Sequence, residues 1–68
     1  MSPTPKQMGA RIRRLRKARG MSQQDVADKA RLTRVFITRV EAGQQDPSLS
    51  TINAIARALD VSAAELMK

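Results

Sequence analysis

Cysteine, histidine, tyrosine and tryptophan are all missing from the 68 residues, and Phe36 is the single aromatic. The first two absences exclude disulfides, thiolate nucleophiles, zinc sites of the Cys/His kind, Cys–His and Ser–His–Asp catalysis, and any imidazole acid or base. One phenylalanine cannot build the stacking platform on which readers of single-stranded RNA or DNA lay their bases. Long apolar runs are missing too: none approaches the roughly 18 residues of a membrane span, and mean hydropathy is −0.42. No apolar stretch follows the start, so no secretory signal is expected and the chain reads as soluble and cytoplasmic, with no membrane partner. This length holds one small domain, and a core this small needs well-packed short helices or a partner chain to be stable.

What the sequence has is positive charge in one place. Thirteen Lys and Arg against six Asp and Glu give a net charge of +7, which favours polyanionic partners. Lys6, Arg11, Arg13, Arg14, Arg16, Lys17 and Arg19 put seven cations in the first nineteen residues with no acid among them. In the remainder, Lys29, Arg31, Arg34, Arg39, Arg57 and Lys68 are balanced by Asp25, Asp28, Glu41, Asp46, Asp60 and Glu65.

The hydrophobic periodicity predicts helices only, an all-α chain. Residues 1–5 carry two prolines and no periodicity, and are expected to be a flexible N-terminal segment ahead of one domain over 6–68. Met8, Ile12 and Leu15 then recur at helical spacing up to Gly20, which marks a first helix over about 6–19. Ser22 offers an N-cap with Asp25 three residues on, and Val26, Ala27 and Ala30 give an apolar face, so a second helix spans about 23–30. Thr33 caps a third over about 34–42, with Ile37 and Val40 inward and Gly43 ending it. After the polar loop Gln44-Gln45-Asp46-Pro47, Ser48 caps a fourth helix marked by Leu49, Ile52, Ile55 or Ala56, and Leu59. Ser62 and Glu65 form an S-x-x-E capping box ahead of a short fifth helix carrying Leu66 and Met67.

The second and third helices are separated only by Arg31, Leu32 and Thr33. Such a short connection favours a steep crossing around a buried Leu32, the helix-turn-helix geometry. Its use is to hold the second helix of the pair clear of the body, so that its N-terminal side chains enter a DNA major groove about 12 Å wide. Here the sequence resembles the Cro/repressor-type regulators, the xenobiotic-response-element family. Over residues 9–67 the matches are Leu15-Arg16, Gly20-Met21-Ser22-Gln23, Val26-Ala27, Ile37, Val40-Glu41-x-Gly43, Pro47-Ser48-Leu49, Ala56-x-x-Leu59, Val61-Ser62 and Leu66. The resemblance implies a compact five-helix, lambda-repressor-like DNA-binding domain. The pattern departs at Arg31, where the family usually places glycine; a left-handed turn there strains an arginine, and a phosphate contact from Arg31 is the alternative reading.

With Ile37 inward and 100° per residue, Val35, Thr38 and Arg39 point away from the third helix's buried side, and Arg34 lies at its exposed N-terminal end. Alone, that is a solvated face with a stray valine. The resemblance makes Arg34, Val35, Thr38 and Arg39 base contacts: Arg34 by two parallel bonds to guanine, Val35 and Thr38 by methyl contact with thymine, Arg39 on a base or a phosphate. It also implies phosphate contacts from Gln23, Thr33, Gln44, Gln45 and Ser48. Phe36 either packs under the second helix or makes a van der Waals contact with a sugar or a thymine methyl, and is grouped with the phosphate contacts. Arg16 lies at the rim of the first helix's apolar face, where an unpaired charge is costly; the family's matched residues pair with each other, so Arg16 and Glu41 are expected to form an ion pair, with Arg16 also near a phosphate.

The function implied is transcriptional regulation as a repressor or autoregulator, without catalysis, cofactor, metal or small-molecule ligand. It would act as a homodimer on a pseudo-palindromic operator, the dimer surface drawn from Val61, Ala64, Leu66 and Met67, the alternative being that these apolar groups are spent on the chain's own core. Rival readings are a protein-interaction adapter that keeps the fold, or a basic first helix lying on an anionic surface. The second would require the Met8, Ile12 and Leu15 stripe to be uncovered, whereas the fourth and fifth helices are expected to cover it. Ser22, Thr33, Ser48 and Ser62 are explained as caps rather than nucleophiles. Asp25 and Asp28 lack a third metal ligand.

Overall fold

Every helix begins at a hydroxyl residue in extended backbone, and four of the five end at a residue in left-handed backbone. The computed structural model describes residues 2–68 and arranges them as α1 (Pro5–Ala18), α2 (Gln23–Ala30), α3 (Arg34–Glu41), α4 (Leu49–Ala58) and α5 (Ala63–Met67). There is no strand among the described residues. The body measures 29 × 21 × 20 Å.

The caps are local sequence chemistry. At α2, Ser22 Oγ accepts from the Asp25 N–H at 3.0 Å, and the Ser22 N–H donates to Asp25 Oδ2 at 2.8 Å, a reciprocal box. The Ser22 backbone bond, reinforced by its hydroxyl, holds the Asp25 carboxyl below its ordinary range. A depressed carboxylate contributes stability above its unfolded pKa and loses it as pH falls through the folded value. Two expectations about caps are corrected. Thr4 and Pro5, assigned to a flexible lead-in, are the N-cap and first residue of α1: Thr4 and Gln7 form a second reciprocal box, and proline suits the first helical position because its missing N–H has no partner there anyway. Met1 lies outside the described residues. At α5 the S-x-x-E box is not made; Ser62 gives no side-chain cap bond, and Glu65 turns to Lys68 Nζ at 3.3 Å.

The four helix exits repeat one pattern. At Gly20, Arg31, Gly43 and Asp60 (φ 57 to 75°) the N–H bonds back three residues, and the next N–H bonds back five: Met21 to Arg16 O, Leu32 to Ala27 O, Gln44 to Arg39 O, Val61 to Ala56 O. This is the Schellman arrangement, and it usually brings an apolar residue after the left-handed one onto the body. Met21, Leu32 and Val61 do so. Only two of the four left-handed positions are glycine. Arg31 and Asp60 hold the same geometry with a Cβ, at a steric cost of about 1 kcal/mol.

The core gathers Ile12, Val26, Ile37, Val40, Ile55, Leu59 and Leu66, all less than 2% exposed. Both Ile55 and Ala56 are buried. Leu49, expected on the apolar face, is 61% exposed because it opens α4 at the edge of the body, ahead of the stretch that meets the core. α1 packs on α3 and α5, α2 on α3 and α4, and α4 on α5. So the Met8, Ile12 and Leu15 stripe is covered chiefly by α3 and α5 rather than by α4. The closeness of α1 to α3 depends on Gly9: a Cβ there would overlap the Val40 carbonyl oxygen and stand 2.8 Å from that of Glu41.

Two outcomes follow for the backbone. Arg31→Gly should raise stability by up to about 1 kcal/mol by relieving the left-handed strain, read as a higher midpoint in thermal melts. Gly9→Ala should lower it by about 1–3 kcal/mol, the cost of overpacking against unyielding backbone; an unchanged melt would show that α1 can slide off α3 freely.

Candidate nucleic-acid interface

Thr33, extended in backbone, starts α3 by accepting the Phe36 N–H at 3.1 Å. With Ile37 and Val40 sealed in the core, the helix has one free face. It carries Arg34, Val35, Thr38 and Arg39, all exposed, with Val35 at 56% one of the few large apolar side chains left open. Neither arginine has a carboxylate within ion-pair distance; among the described residues only Arg16–Glu41 and Lys68–Glu65 are bridged.

Beneath this face lies a polar cluster. Arg16 Nε donates to Glu41 Oε2 at 2.6 Å, Arg16 Nη2 to Glu41 Oε1 at 3.0 Å, and Arg16 Nη1 to the Met21 carbonyl at 2.9 Å. The guanidinium therefore ties α1 both to the end of α3 and to its own exit turn. The bond to Glu41 drives the Arg16 pKa upward despite partial desolvation. Side-chain exposure is 10% for Arg16 and 3% for Glu41, and no buried side-chain polar atom among the described residues lacks a partner. This burial corrects the expected phosphate touch from Arg16: its fork faces inward and is occupied.

Gln23 was expected only as an anion contact at the start of α2, and it also extends this cluster. Its Nε2 donates to Glu41 Oε1 at 3.1 Å, and its Oε1 accepts from Thr38 Oγ1 at 2.9 Å. One Gln23 N–H remains free. Sequence periodicity could not have found this link, because it joins positions fifteen residues apart through side-chain termini.

The other expected residues divide by burial. Thr33, Gln44 and Ser48 are exposed, Gln45 is half-buried, and Ser48 caps α4 through the Thr51 N–H. Phe36 is half-buried and packed against the core. Val61 is half-buried, Ala64 is exposed and Met67 is 37% exposed, but Leu66 is fully buried. Leu66 is thereby removed from any dimer surface, since it already closes the core beneath α5. Arg11 of α1 and Arg19, the residue just past its end, also have partners that composition could not show: Arg11 donates to the Leu66 carbonyl at 3.3 Å and Arg19 to that of Asp60 at 3.1 Å. Lys6, Arg13, Arg14 and Lys17 remain exposed.

The helix-turn-helix family model matches residues 12–66, the span that holds the buried fork and the two short helices. The chain belongs to the helix-turn-helix family. It is 37% identical over 60 residues to the immunity repressor protein of Bacillus phage phi105, covering 88% of this chain and 42% of the repressor. It is 31% identical over 62 residues to the uncharacterized HTH-type transcriptional regulator y4dJ of Sinorhizobium fredii, covering 91% and 80%. Among solved structures, the restriction-modification controller protein C.AhdI of Aeromonas hydrophila superposes with a TM-score of 0.89 at 40% identity, covering 91% of this chain and 94% of the controller. The chain thus spans less than half of the phage repressor and nearly all of the controller. No helix among the described residues is long and apolar enough to cross a membrane.

Removing one partner of the fork leaves a buried charge, which costs about 3–5 kcal/mol, whereas an exposed pair contributes at most about 1 kcal/mol. Glu41→Ala should therefore lower the melting midpoint far more than Glu65→Ala. Equal melts would show that the fork does not hold α1 to α3.

Proposed function

We propose that this helix-turn-helix protein is a sequence-specific double-stranded DNA-binding regulator of transcription, a repressor or autoregulator. The observation that carries the proposal is the outward face of α3: two arginines without carboxylate partners flank two side chains that present methyl groups, on a helix whose other side is locked to the body. Its relatives are named as a repressor and a transcriptional regulator, and its structural neighbour as a controller protein.

In this reading α3 lies in the major groove. Arg34, at the leading end, pairs with guanine O6 and N7; Val35 and Thr38 meet thymine methyls; Arg39 reaches a base or the adjacent phosphate. Gln23 with its free N–H, Thr33, Phe36 by its edge, Gln44, Gln45 and Ser48 hold the flanking backbone, where contacts fix register without reading sequence. Lys6, Arg13, Arg14 and Lys17 supply a field that speeds association.

An eight-residue reading helix spans few base pairs, so discrimination calls for two copies. We assign a two-fold dimer whose half-sites lie about one helical turn, or about 34 Å, apart, with Ala64 and Met67 on the open side of α5 and Val61 at its edge as the contact.

Selection of bound duplexes from a random pool should recover a palindromic preference that survives rising salt. In Arg34→Ala the preference should vanish at one base position per half-site, at about 1–3 kcal/mol, with other positions intact. Uniform weakening would make Arg34 a phosphate contact, and recovery of no preferred sequence would remove the proposal.

A further inference from the structure

We infer that Thr38 reads DNA through its methyl group and not as a hydroxyl donor, that Val35 joins it in a pocket for the C5-methyl of a pyrimidine, and that Gln23 is the positioning residue that makes this so. The inference rests on the DNA-binding reading above and goes further, by naming the chemical group recognised and the residue that fixes the choice.

A threonine in a major groove has two ways to read a base. Its hydroxyl can bond to almost any base edge, which carries little information, or its methyl can pack on a thymine methyl, which carries more. The surrounding hydrogen bonds decide between these. The hydroxyl has one proton, and two protein acceptors compete for it: Gln23 Oε1 at 2.9 Å and the Arg34 carbonyl at 3.0 Å. No proton is left for a base acceptor. The hydroxyl branch is drawn toward the helix and toward α2, which leaves the methyl as the branch the protein does not hold.

Gln23 is itself not free to turn. Its amide nitrogen donates to Glu41 Oε1 at 3.1 Å, and that oxygen is fixed by Arg16 Nη2 at 3.0 Å. Because the amide end is committed as donor to a carboxylate, the carbonyl end must face Thr38. A flipped amide would set its oxygen against the carboxylate and its N–H groups against the hydroxyl. The buried fork between α1 and α3 thus dictates the polarity of Gln23, and Gln23 dictates the orientation of Thr38.

Val35 completes the surface. It lies one turn before Thr38 on the same face, and at 56% exposure it offers only methyl groups. Nothing in the fold needs a valine there: it does not contribute to the core. Arg34 and Arg39 stand beside the two methyl-bearing residues. The face therefore combines guanidinium donors, suited to guanine, with a methyl-lined patch suited to a 5-methylpyrimidine.

The test uses the full chain and the duplex recovered by selection, with each thymidine replaced in turn by deoxyuridine. Removing a methyl from such a contact should weaken binding about fourfold at one or more thymines in each half-site. At that position a 5-methylcytosine duplex should bind about fourfold tighter than the cytosine duplex, by the same methyl increment. Two exposed-site variants separate the readings. Thr38→Val keeps methyl groups and should retain the thymine-over-uracil preference, whereas Thr38→Ser keeps the hydroxyl and should lose it. Gln23→Ala, with its fold checked by melting, should shrink that preference at the same position, whereas loss of a mere phosphate contact would weaken all duplexes equally. Tolerance of deoxyuridine at every position, or retention by Thr38→Ser with loss by Thr38→Val, would overturn the inference while leaving DNA recognition intact. If selection recovers no preferred duplex, the DNA reading fails first and this inference with it.

Discussion

The bidentate bond between Arg16 and Glu41 is the constraint from which the rest of the arrangement takes its geometry. A helix pair joined by three residues has no intrinsic reason to hold one crossing angle, and α2 and α3 are each only eight residues long. Helices that short are unstable alone in water and depend on packing. The fork fixes the end of α3 to the last turn of α1, and Gly9 lets the two backbones approach closely. The same guanidinium holds the Met21 carbonyl, so the start of α2 is placed by the group that places α3. An ion pair with this little exposure is weak evidence for net stability, because desolvation offsets the Coulomb gain. Its value here is positional.

Much of this fold was legible from residue spacing. The 3.6-residue period marked the first four helices, and the cap hydroxyls at Ser22, Thr33 and Ser48 located three starts; the fifth helix was read from a capping box at Ser62 and Glu65 that is not made. Those signals are local, so the sequence carries them openly. The failures are equally physical. Thr4 was hidden by two neighbouring prolines, which read as helix breakers although one of them sits at the single helical position that tolerates proline. Leu66 read as available surface because composition cannot say which face of a five-residue helix meets the body. Arg11 and Arg19 read only as two of seven N-terminal cations, but they bond carbonyl groups at the far end of the chain, a choice set by tertiary placement.

The outward face of α3 shows the same division. Its outward residues followed from helical geometry once Ile37 was taken as inward, and its ion pair followed from the resemblance. The glutamine link did not. Gln23 on a bare sequence is a first-turn residue with a free amide, whereas in the folded chain it lies between a carboxylate and a hydroxyl from another helix. Signals that depend on two side-chain ends meeting need the packed arrangement before they can be read at all.

The brevity of α3 has a further consequence. At 1.5 Å per residue it is only about 12 Å long, and it depends on the burial of Ile37 and Val40 against other segments. A synthetic peptide copying residues 33–42 would be a fluctuating coil. The helical state of α3 and the integrity of the body are therefore inseparable in this molecule, and a proteolytic cut between α3 and α4 would not release α3 as an intact helix.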